Sequence, residues 1–397
     1  MGKNHCHISA ADALQTHQKG APVDIKTFKV EQWMNENETH CKYNLAETCI
    51  DSMTVREVLE MAGLDVTAFM SDLADTRLTY GDIDGSPALL DGIASLYTDV
   101  IKPENIIPLH GAIGANYHII MTLIEPTDNM VSVMPTYQQH YSIPESIGAE
   151  VRILNLNLEN HFLPDIEKLK SLVDENTKMI TINNPNNPSG SLIPKEIMEQ
   201  VIEVARSVDA YVLCDEVYRG ISEDGSYMDS VVDLYEKGIS VGSMSKCWSM
   251  AGVRLGWIAA RDMDLLRRCH ERRDYDTISC PVIDDKLAAL ALANKDKITV
   301  RNREILLRNR KILDDWVNAT PEVYYQKPVA GTTALVYYKK NMPSRELCKQ
   351  LLDKTGVLFT PGECFEMEGS VRIGYAFDPD VLQKGLELFA EFLKTID

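Results

Sequence analysis

The sequence of 397 residues predicts an α/β fold, in which a mostly parallel sheet lies between two layers of helices and a smaller α+β domain is attached. From about residue 105, short apolar β-rich runs alternate with amphipathic helical segments, which is typical of parallel strands buried on both faces. After about residue 281 the pattern changes to a long helical stretch followed by alternating strands and helices. A hydrophobic content of 45% suffices for one large core and a smaller one.

Seven apolar runs are the predicted strands of the large sheet: 105–110, 129–134, 150–156, 178–183, 210–215, 239–244 and 254–260. Amphipathic helical segments fall between them, for example 165–173 and 194–208. Ligands of such sheets bind beyond the carboxyl ends of the strands. We therefore expect a site where polar side chains follow several strand ends.

The rest of the chain predicts the smaller domain. A helical pattern from 283 to about 316 carries four arginines on an expected solvated face: Arg301, Arg303, Arg308 and Arg310. Strands are expected at 322–326 and 333–338, and helices at 344–354 and 379–396. We assign residues 1–64 to an N-terminal part of the small domain, 65–285 to the large ligand-binding domain and 286–397 to the C-terminal small domain.

Composition argues against several classes of partner. The formal net charge of −19, from 59 acidic and 40 basic residues, repels nucleic-acid backbones and anionic membranes. The nine cysteines show neither metal-ligand nor disulfide-framework spacing, so we expect a reducing compartment and no bound metal. No apolar run is long enough to span a bilayer, and no secretory signal is evident at the start of the chain. We expect a cytoplasmic protein.

The segment from Ser243 to Gly256 carries the strongest chemical signal. Lys246 is flanked by hydroxyl residues and followed eight positions later by Arg254. A lysine amine can form a Schiff base with the aldehyde of pyridoxal phosphate, while serines and a guanidinium hold the phosphate dianion. Taken alone, the motif also fits a surface lysine beside a buried strand.

The pattern S-x-S-K-x-x-S-x-x-G-x-R-x-G in this segment resembles the Schiff-base segment of fold-type I, class I/II aminotransferases. The resemblance implies a pyridoxal 5′-phosphate cofactor, with Lys246 as the catalytic lysine. It also implies that Ser243, Ser245 and Arg254 bind the cofactor.

Two more strand ends carry polar residues. Asp215 ends a buried strand, where a carboxylate is costly unless it is paired, and a protonated pyridine nitrogen would be such a partner. A cap of the following turn is the alternative role for this aspartate. The resemblance makes Tyr218 and Asn187, the latter in an N-P-S-G motif, hydrogen-bond partners of the cofactor's phenolic oxygen. It also lets Asn187 contact the substrate.

The resemblance assigns further cofactor contacts to two glycine- and proline-containing turns. Gly111, Ala112 and Ile113 run from a strand into a helix, where backbone amides and the helix dipole favour a phosphate. Tight packing of strand on helix is the alternative reason for small residues there. Tyr137 follows a strand end and is expected to stack on the cofactor ring, although packing over the sheet edge is also compatible.

The resemblance also implies one residue that binds the substrate and one that reaches into a second subunit. Arg372 lies in a short apolar strand and is expected to bind the substrate α-carboxylate through its forked guanidinium. An ion pair with Glu363 or Glu368 is the alternative. Tyr80, in a Y-x-x-x-x-G segment, corresponds to a tyrosine that reaches the phosphate of the neighbouring subunit, which implies a homodimer with shared sites.

Two segments depart from the family pattern. Residues 43–49 replace a G-x-P-type segment that many relatives place over the substrate, and residues 328–333 lack the usual aromatic residue. Glu47, in the first of these, is a candidate partner for a cationic substrate side chain, although a solvent-facing loop acid is the commoner explanation. Substrate specificity is therefore where this chain is least typical.

The predicted function is transfer of an amino group from an L-amino acid to a 2-oxo acid by a ping-pong Schiff-base mechanism. Lys246 removes the α-proton, and we expect burial and cationic neighbours to lower its pKa. One alternative keeps the cofactor but makes the enzyme a lyase, a β-replacement enzyme or an oxygen-using oxidase acting on a cationic amino acid. A non-catalytic relative is disfavoured, because it would be expected to lose Lys246 or Asp215 first.

Overall fold

The computed structural model describes residues 24–396. In chain order the strands are β1 Tyr43–Asn44, β2 Ile106–Leu109, β3 Asn129–Met134, β4 Glu150–Asn155, β5 Thr177–Asn183, β6 Tyr211–Asp215, β7 Gly238–Ser243, β8 Gly256–Ala260, β9 Val323–Tyr325, β10 Thr333–Tyr338, β11 Val357–Leu358, β12 Thr360–Pro361 and β13 Ser370–Gly374. The helices are α1 Lys29–Asn37, α2 Val55–Met61, α3 Val66–Ala74, α4 Pro87–Ala94, α5 Gly111–Leu123, α6 Gln139–Ile147, α7 Ile166–Leu172, α8 Lys195–Ser207, α9 Val231–Leu234, α10 Met263–Arg273, α11 Val282–Ala293, α12 Lys295–Ala319, α13 Ser344–Thr355 and α14 Pro379–Leu393.

The large sheet has seven strands in the order β2-β8-β7-β6-β5-β3-β4. Its strands run parallel except for β8, which is antiparallel to β2 and β7. The predicted strands are confirmed, each to within two residues at either end. Every residue of β3 is buried, as expected of a strand covered by helices on both faces.

Helices cover the sheet through apolar stripes. Helix α8 shows the pattern, because Met198, Val201, Ile202, Val204 and Ala205 are buried while the polar residues between them, Glu199, Gln200 and Glu203, are exposed. Helix α5 is buried along most of its length between the sheet and α6. No helix between residues 24 and 396 is long and apolar enough to cross a membrane.

The second region contains a four-stranded antiparallel sheet in the order β12-β13-β10-β9. The N-terminal segment joins it, because β1 pairs in parallel with β11, with Tyr43 opposite Val357. The indole of Trp33 on α1 also donates to the carbonyl of Phe359, at 2.8 Å. Domain boundaries at residues 64 and 285 stay predictions, and residues 1–23 of the N-terminal part lie outside the described residues.

The long helical pattern predicted from 283 to 316 is two helices, α11 and α12. They separate at Asn294, whose side-chain amide donates to the carbonyl of Leu290 and competes with continuation of the helix. The prediction of a solvated arginine face is wrong for Arg310, which is buried and pairs with Glu223. Arg303 and Arg308 are exposed as expected, and Arg301 is half-buried.

Candidate active site

A cavity of about 280 Å³ lies at the carboxyl ends of β3, β5, β6 and β7. Its floor comes from the large sheet, and residues of α1, the 43–49 segment and β13 close it from the other side. Most of the predicted site residues line it: Ala112, Ile113, Tyr137, Asn187, Asp215, Tyr218, Ser243, Ser245, Lys246, Arg254 and Arg372. The expectation that polar residues after separate strands meet at one edge of the sheet is thereby met.

Lys246 follows β7 and points its amine toward the 43–49 segment. Its Nζ donates to Thr48 Oγ1 at 2.6 Å and lies 3.6 Å from Cys49 Sγ. The predicted lowering of its pKa is wrong in this structure. Burial lowers the pKa of Lys246, but the acidic groups of Tyr218, Cys49 and Glu47 outweigh burial and raise the pKa above its ordinary value.

Asp215 is held by two different donors. Asn116 Nδ2, on α5, donates to Oδ2 at 2.9 Å, and the amide of Val217 donates to Oδ1 at 3.2 Å. The aspartate therefore both caps the following turn and presents a fixed carboxylate to the cavity. His140 is buried behind it, with Nε2 3.6 Å from Oδ2 and neither ring nitrogen hydrogen-bonded among residues 24–396.

Two amide side chains and a phenol form the next wall. The backbone amide of Asn187 donates to Asn183 Oδ1 at 2.7 Å, and Asn183 Nδ2 donates to the carbonyl of Asp215 at 2.9 Å. This chain of bonds ties the Asn-rich turn to the end of β6. Tyr218 Oη is buried near Thr48 but makes no well-aligned hydrogen bond within the described chain, which leaves it open to a ligand.

The N-terminus of α5 lies at one corner of the cavity, where Ala112 and Ile113 line it. His110 is the N-cap residue, but its side chain accepts no hydrogen bond from the first backbone amides of the helix. A Cβ on Gly111, which has a φ of +70°, would lie 2.8 Å from Arg254 Nη2. A Cβ on Gly256 would lie 2.3 Å from the carbonyl carbon of Gly111. The small residues thus let the strand, the helix and the guanidinium pack tightly together.

Arg372 is buried and surrounded by neutral acceptors. Its guanidinium donates to Asn187 Oδ1 at 3.3 Å, and to the carbonyl of Ala46 and Thr360 Oγ1 at 3.0 Å each. Nε makes no hydrogen bond to residues 24–396. Burial lowers its pKa below the ordinary value.

The alternative of an ion pair at Arg372 is not supported. Glu363 pairs with Arg345, and Glu368 accepts from the backbone amide and the hydroxyl of Ser344. A buried guanidinium with no carboxylate partner among residues 24–396 is costly in the absence of an anionic ligand.

Three predicted residues do not line the cavity: Gly111, Tyr80 and Glu47, of which Gly111 lies beside Arg254. Tyr80 is 65% exposed, so within its own chain it contacts no part of the site. Glu47 is half-buried, but Oε1 accepts from the backbone amides of Thr48 and Cys49 at 2.7 Å each and does not line the cavity. Burial opposes ionisation of Glu47, yet these hydrogen bonds and the charge of Lys246 lower its pKa.

Several cavity residues were missed by the sequence argument. Asn116 is a polar residue within an otherwise apolar helix, and that local contrast is a signal that could have found it. Glu31, Thr48 and Cys49 line the cavity as well. Thr48 and Cys49 lie in a segment recognised only as atypical, and Glu31 lies on α1, where no motif marks it.

The chain resembles known proteins over most of its length. The family model for aminotransferase class I and II matches residues 44–389. A pyridoxal phosphate-dependent aminotransferase from Streptococcus suis has a solved structure that is 43% identical, with a TM-score of 0.91, covering 94% of this chain and 99% of that one. Capreomycidine synthase from Streptomyces vinaceus is 26% identical over 380 residues, covering 94% and 95% of the two chains. A probable aspartate aminotransferase from Methanocaldococcus jannaschii is 27% identical over 384 residues, covering 94% and 98%.

Proposed function

The chain belongs to the class I and II aminotransferase family of pyridoxal phosphate-dependent enzymes, and from that premise we propose that it moves the amino group of an L-amino acid to a 2-oxo acid in a ping-pong cycle. The observation that carries the proposal is the position of Arg372 in the same cavity as Lys246. A buried guanidinium that has no acidic partner among residues 24–396 favours a carboxylate ligand. Its fork suits the α-carboxylate that both amino acids and 2-oxo acids possess.

The polar groups of the cavity fit pyridoxal phosphate. We assign the phosphate to the N-terminus of α5 together with Ser243, Ser245 and Arg254, because these supply donors and positive charge at one corner. The unpartnered hydroxyl of Tyr218 fits a hydrogen bond to the ring's phenolic oxygen, to which the Asn187 amide is the second partner. When bound, the cofactor supplies an aldehyde carbon that takes up an amine and a ring that accepts the electrons released at the substrate α-carbon.

Three side chains then have defined chemical roles. Asp215, oriented by Asn116, holds a proton on the pyridine nitrogen. Lys246 would hold the aldehyde carbon through its amine, and as a free amine it would be the base that takes the proton from the substrate α-carbon. Tyr137 covers the ring plane.

The proposal is tested by an anaerobic titration of the cofactor-loaded enzyme with single L-amino acids and no 2-oxo acid. We expect a lasting change in the absorbance of the bound cofactor, with release of one equivalent of 2-oxo acid and no ammonia. Arg372→Leu should raise the amino acid concentration needed by roughly tenfold to a hundredfold, since a hydrogen-bonded charge pair is lost. Arg56→Leu, at an exposed arginine, is the control and should behave like the wild type. If no amino acid changes the absorbance, the proposal is wrong.

A second candidate keeps the cofactor and changes the outcome. The similarity to capreomycidine synthase, which is named for a synthase activity, favours testing a lyase, β-replacement or oxygen-using reaction on a cationic amino acid. In the same titration, such an enzyme would regain its starting absorbance while ammonia or an oxygen-dependent product accumulates. These products separate the two candidates directly.

We also propose that the enzyme is a homodimer in which Tyr80 completes the partner's site. Tyr80 is exposed, and so are Leu78 in the same segment and Tyr275 after α10. The two stretches that carry them are packed together, because Arg273 donates to the carbonyl of Ile83 at 2.9 Å. An apolar surface of this kind is typical of a subunit interface.

A further inference from the structure

The cavity contains a carboxylate that the proposed mechanism does not use. Glu31, on α1, lines it next to Val30 and opposite the sheet. Tyr137 Oη donates to Glu31 Oε1 at 2.7 Å, so the carboxylate lies beside the ring that we assign to the cofactor stack. Its second oxygen, Oε2, makes no hydrogen bond to residues 24–396. It is therefore open to a ligand in the cavity.

The position of Glu31 is set by several contacts at the start of α1. The backbone amide of Lys29 donates to Gln138 Oε1 at 2.8 Å, and Gln138 Nε2 donates to the carbonyl of Thr27 at 2.8 Å. The rings of Phe28 and Tyr137 lie 4.7 Å apart between centroids. These contacts join the start of α1 to the turn that carries Tyr137 and Gln138. Glu31 thus belongs to a built wall of the cavity, in contrast to an acid on a solvent-facing loop.

Glu31 has no cationic partner among the described residues that line the cavity. Among its lining residues the cations are Lys246, Arg254 and Arg372, and the carboxylates are Asp215 and Glu31. The proposed function uses every one of these except Glu31. No lysine or arginine among residues 24–396 forms an ion pair with it, and its recorded hydrogen-bond partner is a neutral phenol. A half-buried carboxylate in such a place favours a cationic ligand group.

Tyr137 supports this assignment. Burial raises the pKa of Tyr137, and the adjacent charge of Glu31 raises it further, so the phenol stays protonated and donates to the carboxylate. The charge of Glu31 also acts on Arg372, where it opposes the larger lowering of the arginine pKa by burial. Glu31 and Arg372 thus lie in the same ligand space. A molecule that bears a carboxylate at one end and a cation at the other satisfies both.

We propose that Glu31 selects amino acids whose side chain carries a positive charge, an ammonium or a guanidinium, by pairing with that group while Arg372 binds the α-carboxylate. The inference rests on the proposed function and names its substrate class. It gives to Glu31 the role that the sequence argument gave to Glu47, whose carboxylate accepts from the backbone amides of Thr48 and Cys49.

The test compares L-arginine with L-citrulline, a neutral amino acid of nearly the same shape, on the cofactor-loaded enzyme. Two quantities are measured for each: the rate of absorbance change of the bound cofactor, and the dissociation constant by calorimetry. We expect the wild type to prefer arginine by roughly tenfold to a hundredfold, as for one charge-assisted pair. Glu31→Gln should remove most of this preference by weakening arginine while leaving citrulline nearly unchanged, because glutamine still accepts from Tyr137.

Glu36→Gln is the matched control. Glu36 lies on the same helix but is exposed and accepts from Gln32, so this variant should keep the wild-type preference. L-Ornithine and L-lysine extend the test to shorter cationic side chains. A wild type that binds citrulline as tightly as all three cationic amino acids overturns the inference. So does a Glu31→Gln variant that weakens arginine and citrulline equally, because that result indicates a purely structural role through Tyr137.

Calorimetry keeps this inference separate from the proposed function. If arginine binds selectively and Glu31→Gln abolishes the selectivity, but no amino acid changes the cofactor absorbance, then Glu31 is a specificity residue and the aminotransferase proposal fails. If the absorbance changes with neutral or acidic amino acids and arginine does not bind, the aminotransferase proposal stands and the Glu31 assignment is wrong.

Discussion

The two walls of the cavity are built in different ways. The wall at the strand ends consists of short motifs that follow β3, β5, β6 and β7, and its residues match the family pattern in order and spacing. The opposite wall is assembled from α1, the 43–49 segment and β13, which are far apart in sequence. Lys246 connects the two, because its amine lies at the end of β7 but donates to Thr48.

The residues that we assign to the cofactor lie mainly in the wall at the strand ends, which we call the cofactor wall. The residues that we assign to the substrate lie mainly in the wall built from α1, the 43–49 segment and β13, which we call the substrate wall. Parallel strands bring their carboxyl ends to one edge of the sheet, so the position of the cofactor wall follows from topology. The substrate wall depends on how distant segments pack, and one of them, residues 43–49, departs from the family pattern. We therefore expect substitutions in the cofactor wall to abolish turnover and substitutions in the substrate wall to change which amino acid reacts.

The largest effect is expected for Lys246→Ala. Without the amine that binds the aldehyde carbon and takes the α-proton, kcat should fall by at least about 10³-fold. The unfolding temperature should change little, because the side chain makes few hydrogen bonds, chiefly that to Thr48. Turnover and thermal unfolding are measured together, with Lys195→Ala, at an exposed ion pair with Asp229, as the control. Retention of most of the turnover would exclude Lys246 as the catalytic lysine.

A smaller effect, on the binding of the cofactor, is expected for Tyr80→Ala. Loss of a hydrogen bond to a charged phosphate should weaken cofactor binding by roughly tenfold to a hundredfold. Sedimentation should give a mass about twice that of one chain. At a cofactor concentration too low to load Tyr80→Ala, hybrids of Tyr80→Ala and Lys246→Ala subunits should regain about a quarter of wild-type activity, because half of the dimers contain one intact site out of two. A monomeric enzyme, or hybrids without regained activity, would contradict the shared site.

The smallest effect is expected for Glu47→Gln, because Glu47 belongs to the 43–49 segment but its side chain does not line the cavity. Its carboxylate accepts two amide hydrogen bonds, so the variant should lose about 1 kcal/mol of unfolding free energy at neutral pH. Because the pKa of Glu47 is lowered in the folded state, its stabilising contribution exists above the ordinary value of 4.5 and is lost as the pH falls.

The measurement for Glu47→Gln is denaturant unfolding of both proteins at neutral pH and again in acid. The difference between wild type and variant should shrink in acid, while Glu175→Gln, at an exposed carboxylate, shows no difference at either pH. The preference for arginine over citrulline should stay as in the wild type. A selective loss of that preference would instead return the substrate role to Glu47.

Much of the fold and of the cofactor wall could be read from the residues alone. Apolar runs marked the seven strands, and the polar residues that follow them, such as Asp215 and Lys246, had to meet once those strands ran parallel. The helical pattern after residue 283 was less reliable. The periodicity of apolar residues did not predict that the helix ends at Asn294. It also did not predict that Arg310 is buried and forms an ion pair with Glu223.

The substrate wall depended on contacts that no local pattern encodes. Arg372 was recognised as an anion-binding residue, but its lack of an acidic partner follows from where Glu363 and Glu368 pack. Glu47 and Glu31 are both glutamates near the start of the chain, and composition and spacing do not distinguish them. Packing of α1 against the Tyr137 turn puts Glu31 in the cavity, while two nearby backbone amides bind Glu47 outside it. Short-range patterns therefore established the strands and the polar residues at their ends, whereas long-range packing put Glu31 in the cavity and left Glu47 outside it.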